Sequence, residues 1–134
     1  MTIREYTSTS IDTTLATGIG AADTTMTVAT STGAALMGGI TLTAGDIFTV
    51  ALDPDTTSEE IVFITVRTGD TFTITRAQAG TAGVVHAAGA TVRHVLTSDD
   101  LNWFNNMIQS DDVITATPKI YGGSASVLNK KIMN

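Results

Sequence analysis

Two histidines, His86 and His94, flank Gly89 in a stretch made mostly of alanine, glycine, valine and threonine. Imidazole binds metals and exchanges protons near neutral pH. A metal site needs further ligands at set spacing, and the chain has no HxH, no HExxH and no cysteine. A histidine tied to backbone is the plainer reading. The acids Asp53, Asp55, Glu59 and Glu60 offer oxygen ligands of the kind calcium takes. They lack the glycine and closing glutamate of an EF-hand loop, and a solvated turn entering a strand accounts for them. Asp99 and Asp100 form a carboxylate pair such as glycoside cleavage uses. They also lie two and three residues after Thr97, where the first turn of a helix favours acids and an N-cap. No serine sits in a G-x-S-x-G elbow. GIGAAD is an incomplete dinucleotide fingerprint followed by a threonine-rich strand. In TPKIYGGS the lysine precedes the glycines, so it is no phosphate loop. The expectation is a protein without catalytic residues, metal or cofactor, and not an enzyme.

The elements that carry these residues read as strands. Met26 and Val28 alternate with Thr25 and Thr27, the two-residue period of a half-buried strand. A first strand signal stands at Thr13–Leu15. After STGAALMGG and a break at Gly38 and Gly39, Phe48, Val50 and Leu52 share one face of a strand at Ile47–Leu52. Asp53, Pro54 and Asp55 turn the chain. EIVFITV, residues 60–66, is apolar on both faces, which marks a central strand or one covered by another chain. Gly69 and Asp70 make a hairpin into Thr71–Thr75, with Phe72 and Ile74 inward. Ala90–Leu96 is the last strand, with Val92 or Val95 inward. From Thr97 the period changes to that of a helix, with Leu101, Phe104, Met107 and Ile108 on one face and Trp103 one residue off it. The fold class expected is mainly β: a small β-sandwich or barrel-like domain with one short C-terminal helix and extended terminal arms. Its parts are an N-terminal arm at 1–12, a β-domain at 13–110 closed by a helix at 98–109, and a C-terminal arm at 111–134.

Composition narrows the function. The chain has 134 residues with 5% aromatic and 15% charged, against about 25% charged in an average domain. A core of valine, isoleucine and alanine gains less per residue from burial, so support from neighbouring subunits is expected. The net charge of −6 argues against a nucleic-acid partner, which needs clustered Lys and Arg. No segment reads as a signal peptide or a membrane span, so a soluble protein made in a cytoplasm is expected.

A family resemblance rests on ADTTMTVAT, GDIFTV, EEIVFIT and FTITRAQAGTAGVVHAAGATVRHVLTSDDLN. These resemble a β-domain recurrent in tailed-bacteriophage structural proteins. There an E-x-V-x-V strand is followed by T-R-[GA]-Q-x-G-T-x-A-x-x-H-x-x-G-A-x-V and a short helix. Thr75, Arg76, Gln78, Gly80, Thr81, His86, Gly89, Ala90 and Val92 carry the match, which covers roughly residues 13–105. The resemblance implies a docking module of tail, baseplate, neck or head-fibre proteins, located in the virion. It also implies that residues 76–90 are a folded-back loop pinned by Arg76 and His86. The chain ends soon after the helix, without a fibre shaft, which points to a decoration or fibre-attachment subunit. A tail or baseplate adaptor is the alternative, and a carbohydrate-binding module the rival from another class. Partners expected are further copies of the chain, a trimer above all, and other virion proteins. Candidate contact residues are Arg76, His86, Trp103, Phe104 and, in the C-terminal arm, Tyr121 and Leu128.

Overall fold

The computed structural model describes residues 2–108. The described residues divide after Thr97 into two units, 2–97 and the residues from 98 on. The first holds β1 (Ile3–Glu5), β2 (Thr13–Thr14), β3 (Thr25–Thr27), α1 (Gly33–Met37), β4 (Asp46–Leu52), β5 (Glu60–Thr68), β6 (Thr71–Gln78) and β7 (Thr91–His94). The second holds a helix at 98–108, here α2. Among the described residues the fold is mainly β, 37% strand against 15% helix.

Six antiparallel strands lie in the order β2-β7-β4-β5-β6-β3, and β1 pairs with β4 in parallel. The sheet curls into a half-barrel. Its outer strands meet at a bridge between Leu15 and Val28, flanked by bonds from Ala16 N to Thr27 O and from Ala29 N to Thr14 O. Curling hides backbone groups that an open edge would leave bare. The alternating residues of β4, Phe48, Val50 and Leu52, face one core with Val62, Ile64, Phe72 and Val92. β5 lies between β4 and β6, so the apolar run at residues 60–64 is a central strand. Its second face is covered too, because Ile61 and Phe63 are 7% exposed. The Arg4 guanidinium lies 4.9 Å from the centroid of the Phe63 ring, within cation–π range.

The β5–β6 hairpin closes through Gly69 and Asp70, with Thr68 opposite Thr71. Gly69 has φ +64 at the first turn position, where glycine fits the twist of the strands. Asp70 reaches from this turn to α1. Its carboxylate accepts the N–H groups of Ser31 and Gly33, each at 2.8 Å. Those two bonds hold the Asp70 carboxyl below the usual carboxylate range. The sequence pattern announced no helix at residues 33–37. This one forms because a distant turn binds its N-terminal N–H groups and Gly38, at φ +56, ends it.

The residues read as an N-terminal arm are tied to their own unit. Beyond β1, the Oγ1 atoms of Thr7 and Thr9 donate to Gly38 O, and Ser10 Oγ donates to Leu36 O. Ile11 N donates to Ala35 O. Carbonyls at the C-terminal end of α1 gain partners in this way.

Gly33 is the tightest position in this region. A Cβ there would lie 2.4 Å from Gly69 O and 3.0 Å from Asp70 Cα, backbone atoms that cannot swing away. Gly33→Ala should therefore cost about 1–3 kcal/mol, as overpacking does. A lowered denaturant midpoint with an unchanged slope is the expected reading.

Candidate functional site

The one cluster that gathers the resemblance residues is centred on Glu60. Glu60 opens β5 opposite Leu52, at the end of the β4–β5 hairpin that also carries Asp53. β6 passes on its other side with a register shift between the pairs Ile61–Gln78 and Phe63–Thr75. Such a bulge redirects side chains and backbone groups. Here it brings both Arg76 and the Ala77 N–H to the same carboxylate, with Ala77 at φ +55 and Ala79 at φ +51.

The contacts are complete. Arg76 Nε donates to Glu60 Oε1 at 2.8 Å, and Nη2 donates to Oε2 at 2.7 Å. The remaining guanidinium protons go to the carbonyls of Gly20, Asp23 and Val84. All the donors an arginine has are thus engaged. Glu60 also accepts the N–H groups of Ala77 and Val84, at 2.9 and 3.1 Å. His86 Nε2 lies 3.1 Å from Glu60 Oε2, and its Nδ1 lies 2.7 Å from Asp53 Oδ2. The side chains of Glu60 and His86 are fully buried and that of Arg76 is 8% exposed. Burial by itself pushes the Glu60 carboxyl up. Arg76, the two backbone N–H groups and His86 outweigh it and hold the carboxyl at about 2.

Together these bonds fold the segment between β6 and β7 back over the end of the sheet. Val84 is held by both its N–H and its carbonyl. Ile19 and His86 exchange backbone bonds at 2.8 and 3.0 Å. Thr81 Oγ1 accepts the Ile61 N–H and donates to Gln78 O, and Gln78 Nε2 donates to Arg76 O. Gly89 N donates to Leu15 O, and Leu15 N to Ala90 O. Small residues are needed along this path. A Cβ on Gly83 would lie 2.9 Å from Ala21 O, and one on Gly18 would lie 3.0 Å from His86 O.

Arg76 and His86 are therefore internal. Neither presents its side chain to a partner, which corrects their reading as contact residues. What they hold is the loop, whose Val85 is 69% exposed. Glu60 opens a strand, as the sequence pattern indicates, and its side chain is buried there. An acid opening an otherwise apolar strand was the signal available for it. His94 has a separate task. Its ring stacks on Phe48 with centroids 4.0 Å apart, Nδ1 donates to Thr49 O, and Nε2 accepts the Thr7 N–H.

No family model matches the chain, and no curated protein matches it at a significant level.

On α2 the apolar residues divide differently from the expected stripe. Leu101, Phe104 and Ile108 are 52%, 53% and 47% exposed. Trp103 and Met107 are half-buried and Asp100 is buried. The outward face thus carries Phe104 with Leu101 and Ile108, and Trp103 lies on the more covered side. Tyr121 and Leu128 lie outside the described residues. Among the described residues no group of His, Asp and Glu side chains is arranged to hold a metal ion. A cavity of about 110 Å³ lies beside Met37, Ile40, Leu42 and Arg67. It is well below the ~300–1,000 Å³ of a small-molecule site.

Proposed function

We propose that this chain is a non-enzymatic structural subunit of a tailed-bacteriophage virion, a small decoration or fibre-attachment protein that docks through subunit contacts. The observation that carries the reading is the exposed trio Leu101, Phe104 and Ile108 on a helix with few charges. Apolar side chains grouped on an outer face favour burial against another polypeptide. A second support is the use made of the residues shared with the phage β-domain. Arg76, Gln78, Thr81 and His86 are all engaged in holding the chain's own loop. The signature is in that sense architectural, as a docking scaffold requires. Copies of the chain and other virion proteins are the partners in this reading.

Washed particles of the virus that encodes the chain should contain it in fixed copy number by quantitative mass spectrometry. Its absence from such particles would overturn the proposal. The contact face has its own test. The double variant Leu101→Ser, Phe104→Ser should melt within about 2 °C of the parent, since exposed substitutions change stability little. Its incorporation into particles should fall at least about tenfold, which corresponds to roughly 1.4 kcal/mol of lost contact energy.

A further inference from the structure

We infer that this chain associates with a second copy of itself head to tail, the Val85 side chain of one copy entering the apolar hollow beside Met37, Ile40 and Leu42 of the next. The inference needs only a second copy and does not rest on the virion reading.

Knob and hollow lie at opposite ends of one strand. β5 runs from Glu60 to Thr68. At its start the Glu60 carboxylate accepts the Val84 N–H, and Arg76, bound to the same carboxylate, donates to the Val84 carbonyl. The next residue, Val85, is 69% exposed, and His86 after it is buried. Val85 therefore stands out from a backbone held on both sides, and a contact residue fixed beforehand loses little freedom on docking. At the far end of β5, Arg67 is paired with Phe72 and shares its core-facing side. With Met37, Ile40, Thr41 and Leu42 it walls the cavity of about 110 Å³. Too small for a ligand, that hollow suits one branched aliphatic side chain. Glu60 and Arg67 are roughly 20 Å apart along the strand, so a chain does not reach its own hollow with its own Val85.

Charge selects the second copy as the occupant. The knob end carries Asp53, Asp55 and Glu59. Asp53 faces His86, and Asp55 shares Arg93 with Asp12. Glu59 is exposed, and among the described residues no cation pairs with it. The rim of the hollow carries the exposed Arg67, whose Nε donates to Gly69 O. The neighbouring Asp70 carboxylate is taken up by the Ser31 and Gly33 N–H groups. Head-to-tail docking brings the acidic end of one copy to Arg67 of the next, whereas docking of two knob ends would set like charges together. A contact between unlike patches is heterologous, and it closes into a ring or runs on as a filament.

Analytical ultracentrifugation of the full chain carrying Leu101→Ser and Phe104→Ser tests this, because those two changes silence the exposed face of α2. This background protein should self-associate as its concentration is raised to about 1 mM, the range in which small contacts hold. Val85→Asp and Arg67→Glu, both at exposed positions, should each melt within about 2 °C of it and associate at least tenfold more weakly. Thr41→Trp blocks the hollow by bulk rather than charge and should behave as Arg67→Glu does. Mixed in equal amounts, Val85→Asp and either hollow variant should form a dimer and nothing larger, since each supplies the half the other lacks. A background protein that stays monomeric, single variants that associate as it does, or mixtures that stay monomeric would overturn the inference. Any of these results leaves the virion reading to its own test, the presence of the chain in washed particles.

Discussion

Glu60→Gln should be among the most damaging single changes in the protein, lowering stability by about 3–5 kcal/mol at pH 7. Removing one partner of a buried ionic group leaves the rest uncompensated, and losses of that size follow. Here the loss strands Arg76 and His86, both inside, and weakens the bonds to Ala77 and Val84. Against a typical total of about 5–15 kcal/mol, a fall in the denaturant midpoint of a third or more is expected. A near-silent substitution would mean that the cluster contributes little. The acid limb gives a second reading of the same group. In the folded chain the Glu60 carboxyl is held at about 2, below its ordinary value of 4.5. A depressed carboxyl contributes stability that is fully present above about pH 4.5 and is lost as the pH falls toward 2. The gap is worth about 3 kcal/mol, at about 1.4 kcal/mol for each tenfold change in proton affinity. Stability measured from pH 7 to pH 2 should therefore fall more steeply in the parent than in Glu60→Gln.

Phe48→Ala should cost about 3–5 kcal/mol, the range for truncating a buried phenylalanine. Phe48 is fully buried in β4, opposite Ile64 on one side and Glu5 on the other. It also supports the His94 ring, which takes the Thr7 N–H. The cavity should loosen β1 as well as weaken the core. Global stability by denaturant and protease cleavage within residues 1–12 should both respond. Ile3→Ala, at a position 45% exposed, should change stability by less than about 1 kcal/mol. Comparable losses at the two positions would refute the assigned core.

The strands were legible because their side-chain period is local. Phe48, Val50 and Leu52 alternate, Phe72 and Ile74 alternate, and the apolar run of β5 marks a strand covered on both faces. The Gly69–Asp70 turn was legible because glycine fits a position with positive φ. Helix α1 was not, because its N–H partners sit on Asp70, distant in the chain. Nor was the outward face of α2. Spacing groups residues on a helix without saying which group is covered, and here Leu101, Phe104 and Ile108 are the exposed ones.

The sequence by itself determined a mainly-β chain, its hairpin and its central strand. These follow from periods and turn chemistry that act over a few residues. Only the tertiary structure decided what Glu60, Arg76, His86 and Asp53 do together. Their charges come from separate strands and turns, and a bulge in β6 is what aims two of the donors at one carboxylate. An ionic cluster is set by distances of about 3 Å between groups far apart in the chain, and a linear pattern carries no record of such distances.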